Sequence, residues 1–174
     1  MESKIIWFTG LSGSGKTTLA NYISKKLKVK KHKIKIIDGD IFRKKNKLNK
    51  FTKMSIIKNN LSIINYIDKE KSKYDYLIVS VISPLKKTRS LAYKKFKKNY
   101  YEVHTKCSLR ELINRDTKKL YYKAKMKIIK NLIGFNSKIR YESTNHKKIV
   151  VNTAKETIRV SANKILSNIF KKIL

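Results

Sequence analysis

The sequence predicts an α/β fold: a parallel sheet of about five strands flanked by helices. Three observations carry this. Short apolar runs alternate with helical patterns from end to end. The runs are continuous and apolar, as in strands covered on both faces. Helical crossovers separate them, and crossovers of that kind join parallel neighbours. The scarce punctuation agrees: five Gly and one Pro, most of them beside the strand-like runs, mark points where the backbone needs a special conformation.

The elements follow in order. KIIWFT (4–9) is short and apolar, as a buried strand is, and TLANYISKKLKV (18–29) repeats Leu19, Ile23 and Leu27 at helical spacing. HKIKIID (32–38) is a second strand. Residues 51–70 form a helix, with Ile57, Leu61, Ile64 and Ile67 near a period of 3.6. YDYLIVSVI (74–82) is the strongest strand, continuous and β-branched, and KKTRSLAYKKFKK (86–98) is helical. YYEVHTK (100–106) is a strand, SLRELINRD (108–116) a helix, KKIVVNT (147–153) a last strand, and 154–174 a terminal helix. A length of 174 residues suits one domain spanning 1–174. Ligands on such a sheet bind at the carboxyl ends of the strands. Gly10, Asp38 and Ser83 stand at such ends and are expected to converge on one crevice.

Composition excludes several classes. Hydrophobic residues make up 41%, too many for a disordered chain. No run approaches the roughly 18 apolar residues of a membrane span. With a strand at the opening of the sequence no signal peptide is expected, and the lone cysteine, Cys107, builds no disulfide framework. A cytoplasmic protein is the expectation. Lys and Arg number 44 against 11 acids, for a net charge of +33, yet only six of the 44 are Arg and the lysines run evenly along the chain. A dedicated nucleic-acid surface concentrates its charge and uses Arg to read phosphates and bases. No specific nucleic-acid partner is therefore expected. The charge attracts small anions nonspecifically.

The residues GLSGSGKTT sit directly behind the first strand and open the first helix. Gly10-x-x-x-x-Gly15-Lys16-Thr17 is the P-loop pattern, so the fold sharpens to a P-loop NTPase-type domain. Gly10, Leu11, Ser12, Gly13, Ser14, Gly15, Lys16, Thr17 and Thr18 are expected to bind the phosphates of a nucleotide. Backbone N–H groups and the positive helix end hold the anion. Lys16 reaches the β- and γ-phosphates, and the Thr17 hydroxyl holds Mg²⁺. Asp38-Gly39-Asp40 closes the second strand beside this loop. Two carboxylates there can hold Mg²⁺ or take a proton from an attacking hydroxyl; alone, the same triplet is a turn and a helix cap. Ser83-Pro84 ends the third strand. RDTKKLYYKAKMK (115–127) carries six basic residues around Leu120, Tyr121 and Tyr122, as a lid that closes over phosphates would, or as a solvated basic helix would. His32, His104 and His146 are scattered and suggest no metal cluster.

Together these residues resemble the adenylylsulfate kinase family. WFTGLSGSGKTTLA, DGDIFR, Phe51 with Asn59, VISP followed by Arg89, the stretch YEVHTKCSLRELINRDTKKLYYKAK, and IGF followed by YE resemble the family's segments in order, across nearly the whole chain. The family transfers the γ-phosphate of ATP to the 3′-hydroxyl of adenylylsulfate, a small-molecule nucleotide acceptor. The resemblance implies ATP and Mg²⁺ as cofactors, with Thr17 and Asp38 at the metal. It implies Asp40 as the base or orienting carboxylate, Lys16 at the transferred phosphate, and Arg115 stacked on the adenine of ATP. Arg43, Phe51, Asn59, Ile82, Ser83, Lys118 and Leu120 fall on the substrate side with Asp38 and Asp40, and Phe51 stacks on the acceptor's base. Ser83 matches a serine often described as a phosphorylated intermediate; direct in-line transfer, with Ser83 positioning the substrate, is physically simpler. The lid covers approximately 116–142. A homodimer is a further expectation.

The departures fall mainly on the acceptor side. Ser55 and Ile56 stand where the family usually carries Asp-Arg, and Leu61 where it carries Arg. Leu132-Ile133-Gly134 stands for Phe-Thr-Gly, and Lys119 for a Gly. A related small kinase of capsule biosynthesis, acting on a cytidine diphosphate phosphoramidate, is the alternative these losses raise, with Leu132 lining a smaller base slot.

Overall fold

A computed structural model describes residues 2–46 and 51–170. Five strands form one sheet: β1 (Lys4–Thr9), β2 (Ile34–Asp38), β3 (Tyr76–Ser80), β4 (Tyr100–Lys106) and β5 (Ile149–Asn152). Their order is β2-β3-β1-β4-β5, and every pair is parallel. The helices are α1 (Lys16–Val29), α2 (Gly39–Lys45), α3 (Lys53–Glu70), α4 (Lys86–Phe96), α5 (Leu109–Arg115), α6 (Leu120–Lys125) and α7 (Ile158–Phe170).

The period-2 alternation within β1 divides the core. Ile6 and Phe8 face α1 and α7, where Leu19, Ile23, Leu27, Ile165 and Ile169 pack against them. Ile5 and Trp7 face the other way, toward Ile63, Ile64 and Ile67 of α3 and Phe96 of α4. Both faces are covered, which is why the strands read as unbroken apolar runs.

Register sets the crevice. Asp38 pairs with Ser80, and Ser80 with Phe8, so the carboxyl ends of β2, β3 and β1 lie level. From central β1 the chain crosses to the edge strand β2, returns to β3 beside β1, and then passes to β4 and β5 on the other side of β1, and the crevice lies at that switch.

Most differences from expectation are at element ends. The first helix begins at Lys16, two residues early, because the loop's last glycine already serves as its N-cap. The third strand ends at Ser80 and not 82; Val81 N–H still donates to the Phe8 carbonyl, and the Ile82 carbonyl accepts from Gly10 N–H. The second helix of the sequence starts at Lys53, behind a Thr52 cap. A short helix, α2, follows Asp38, beyond the carboxylate pair or cap expected there. The terminal helix spans Ile158–Phe170, and the expected 171–174 lie outside the described residues. Among the described residues no helix is long and apolar enough to cross a membrane.

Candidate active site

The loop between β1 and α1 is shaped by what lies beneath it. A Cβ on Gly10, at φ +145°, would sit 2.4 Å from Thr105 Oγ1 of β4. Ser14 Oγ bonds that same hydroxyl at 2.7 Å, and Thr105 Oγ1 donates to the Thr9 carbonyl at 3.1 Å. Gly15 caps α1 at φ 83° with no side chain on the first-turn N–H groups and no acid in that turn. Those donors are left for an anion.

Lys16 is 9% exposed, and its Nζ donates to the Leu11 carbonyl at 2.7 Å. Burial lowers its pKa to about 8, against the opposing pull of Asp40. Thr17 Oγ1 lies 3.0 Å from Ser80 Oγ and donates to Asp38 Oδ2 at 3.4 Å. Asp38 Oδ1 accepts from the N–H groups of Asp40 and Ile41. The cap and the site residue are one side chain: capping α2 fixes the carboxylate that faces Thr17.

Asp40 lies one residue into α2, and Lys118 Nζ donates to its Oδ2 at 2.7 Å. That bond raises the Lys118 pKa. The Arg43 guanidinium lies 4.6 Å from the Phe51 ring centroid. Arg115 is held by two contacts, Nε to Glu111 Oε1 at 2.9 Å and Nη2 to the Thr153 carbonyl at 2.6 Å.

Lys16, Thr17, Asp38, Asp40, Phe51, Arg115 and Lys118 border one cavity of about 400 Å³. Of the residues expected from the sequence, Ser12, Gly13, Gly15, Lys16, Thr17, Thr18, Asp38, Asp40, Phe51, Ile82, Arg115, Lys118 and Leu120 line it. Gly10, Leu11 and Ser14 support the loop from behind. Arg43 and Ser83 line an adjoining recess of about 10 Å³, room for roughly one water. Ser83 is 1% exposed, and its hydroxyl accepts from Asn60 Nδ2 at 3.0 Å. Asn59 lines neither space; it is fully buried, and neither of its amide atoms has a partner among the described residues.

Several site residues were not foreseen. Asn60 holds Ser83, and Ile56 packs with Ile133 and Leu85 beside the recess. Thr153 and Ser161 close the Arg115 side of the cavity; the signal for Thr153 was its place at the end of the last strand. Arg89 is a hub. Fully buried, it pairs with Glu102 at 3.2 Å and donates to the carbonyls of Ser83 and Glu142. Glu102 also accepts from Thr144 Oγ1 and bonds His146 Nε2, each at 2.8 Å. Its carboxylate is thus fully engaged, as a buried charge must be. The network ties 142–146 to the strap at Ser83, whose φ is 42°.

Among the described residues no three His, Cys, Asp or Glu side chains gather to hold a metal. The Thr17 hydroxyl and Asp38 carboxylate, 3.4 Å apart, are hard oxygen donors of the kind Mg²⁺ accepts.

A phosphate loop, an adjacent carboxylate and an aromatic wall on a parallel sheet define a P-loop phosphotransferase. The comparisons narrow the class. The family model for adenylylsulphate kinase matches residues 2–152, and the chain belongs to that family. It is 36% identical over 154 residues to a probable adenylyl-sulfate kinase of Archaeoglobus fulgidus, covering 88% of this chain and 97% of the relative. It is 30% identical over 165 residues to a cytidine diphosphoramidate kinase of Campylobacter jejuni, covering 95% of each. The Mycobacterium tuberculosis APS kinase CysC, solved with AMPPNP and APS, superposes with a TM-score of 0.87 at 27% identity, over 98% of both chains.

Proposed function

We propose that this chain transfers the γ-phosphate of ATP to the 3′-hydroxyl of adenylylsulfate. One observation carries the reading: a single cavity is lined by the phosphate loop, by Asp40 and Lys118, and by Phe51, Ile82 and Ile133. Donor and acceptor can then meet in line without leaving it. The loop N–H groups, Lys16 and Lys118 spread the charge of the transferring phosphoryl group. Arg115 stacks on the donor's adenine and Phe51 on the acceptor's base. Asp40 takes the proton of the attacking hydroxyl as the new O–P bond forms and ADP leaves. For that step the Asp40–Lys118 pair must loosen, and the incoming phosphates give Lys118 a competing anion. Thr17 and Asp38 would hold Mg²⁺, which would supply positive charge against the charge that develops in the transfer. Ser83, buried and bonded to Asn60, positions the acceptor strap and takes no phosphate.

A second reading has its own support. The acceptor wall carries Ile56 and Ile133 as a mutually packed aliphatic pair, and one relative is named for cytidine diphosphoramidate. An ATP-consumption assay with Mg²⁺ against adenylylsulfate, cytidine diphosphate conjugates and buffer separates them. Turnover with adenylylsulfate is the expected result. Turnover with a cytidine conjugate alone overturns the first reading in favour of the second.

A further inference from the structure

The apex of the phosphate loop is gripped from the lid side. Tyr121 of α6 is 2% exposed, and its hydroxyl donates to the Ser12 carbonyl at 2.9 Å, across 109 residues of sequence. Its ring lies under the next residue: a Cβ on Gly13 would be 4.0 Å from Tyr121 Cε2. Leu11 packs with Leu112, Tyr121, Ala124 and Leu132. The lid's Gly134 approaches so closely that a Cβ there would lie 2.6 Å from the Leu11 side chain. Tyr121 is itself held, because Asp116 Oδ1 accepts its backbone N–H at 3.1 Å.

This grip has a consequence for the donor site. A trans peptide is planar, so the Ser12 carbonyl and the Gly13 N–H point in opposite directions. With the carbonyl drawn down onto Tyr121, the N–H turns the other way, toward the cavity that Gly13 lines. Without that bond the peptide is free to rotate, since Gly13, at φ 76°, has no side chain to resist. The neighbouring Leu11 carbonyl is taken by Lys16 Nζ. The Leu11 and Ser12 carbonyls thus each have a side-chain partner, and these two peptides are set before any ligand arrives.

We propose that Tyr121 is a positioning residue for the nucleotide's phosphates: by holding the Ser12 carbonyl it presets the Gly13 N–H, so this lid tyrosine adds to ATP affinity without itself touching ATP. The proposal rests on the reading that this loop binds ATP. Tyr121→Phe tests it, keeping the packed ring and removing the hydroxyl. A single neutral hydrogen bond sets the scale, about a 3- to 10-fold rise in Kd. The rise is expected for ATP and for inorganic triphosphate, with adenosine affinity unchanged and the KM of the acceptor unmoved. A parallel readout is the Gly13 amide resonance, which triphosphate is expected to shift in the unmodified protein and to shift less in the variant. Equal weakening of ATP and adenosine overturns the proposal, because the hydroxyl would then support the fold as a whole. Unchanged ATP affinity with a lowered Tm overturns it too. If the unmodified protein binds no ATP, the reading of the loop fails instead, and the two failures are distinct.

Discussion

On the loop side of the cavity, polar groups are paired: Ser14 with Thr105, Thr17 with Ser80 and Asp38, Lys16 with the Leu11 carbonyl, and Tyr121 with the Ser12 carbonyl. On the Phe51 side, Arg43 Nη1, Ser55 Oγ and both amide atoms of Asn59 are buried with no partner among the described residues. Each such group costs about 1–3 kcal/mol if left unmet. The contrast teaches where each half gets its specificity. The donor half is made of backbone and of side chains that lock backbone, at the level ends of a parallel sheet. On the proposed reading the acceptor half is made of single side chains on α2, at Phe51 before α3, on α3 and on the lid. The departures from the family pattern lie almost entirely there, at Ser55, Ile56, Leu61, Leu132 and Ile133.

The sharpest test of this division is Asp40, which belongs to both halves. Asp40→Asn removes the proton acceptor and keeps the volume. Phosphate transfer is expected to fall about 10³-fold, within the usual range for a lost general base. ATP affinity, measured by calorimetry, should stay within about threefold, since the loop is untouched. A variant that turns over normally breaks the assignment. A variant that loses ATP binding to the same degree breaks the division between halves.

Legibility in the sequence followed the same line. GLSGSGKTT told its own story because glycines and a lysine at fixed spacing allow few structures. The strand end at Asp38 was readable because a continuous apolar run ends there. Strand ends still slipped by two residues at Ile82, where the last ladder bonds pass to a loop that only Gly10 explains. The extent of α2 was hidden because seven residues carry too little periodicity, although the Asp38 triplet reads as a helix cap as well as a site. Asn60 was masked by Asn59 next to it; one-residue offsets on a helix decide which side chain faces the recess, and only packing settles that. The grip of Tyr121 on Ser12 and the packing of Gly134 on Leu11 join distant segments. No local pattern announces such contacts, and a tyrosine in a basic run reads as ordinary amphipathic packing.

Phe51 sharpens the acceptor side alone. It is 43% exposed, with its ring toward the Arg43 guanidinium on one side. A stacked base is worth about 1–3 kcal/mol. Phe51→Ala should therefore raise the acceptor's KM about tenfold or more, while the KM for ATP moves less than twofold. Steady-state kinetics with each substrate varied in turn reads both numbers. Equal rises in the two KM values would mean that Phe51 organises the whole cavity, and the halves would not be separable.

The smallest effect concerns the donor side and pH. Burial lowers the Lys16 pKa from its ordinary value of 10.5 to about 8 in the ligand-free protein. The protonated form is the one that meets phosphate, so bound ATP pulls the pKa back up. The sign follows: raising pH through 8 removes the charge from the free protein and weakens ATP capture. Because kcat/KM for ATP reports the free enzyme, its basic limb should bend near pH 8, with about a twofold loss there relative to pH 7. Lys16→Arg keeps a charge that does not titrate in this range. That variant is expected to be slower, because the guanidinium is larger than the ammonium the loop encloses, but its profile should be flat through pH 8. The acceptor's KM, set on the other half of the cavity, should not follow the same limb. A bend that persists in Lys16→Arg would place the titrating group elsewhere and break the link between the lysine's burial and the strength of the donor half.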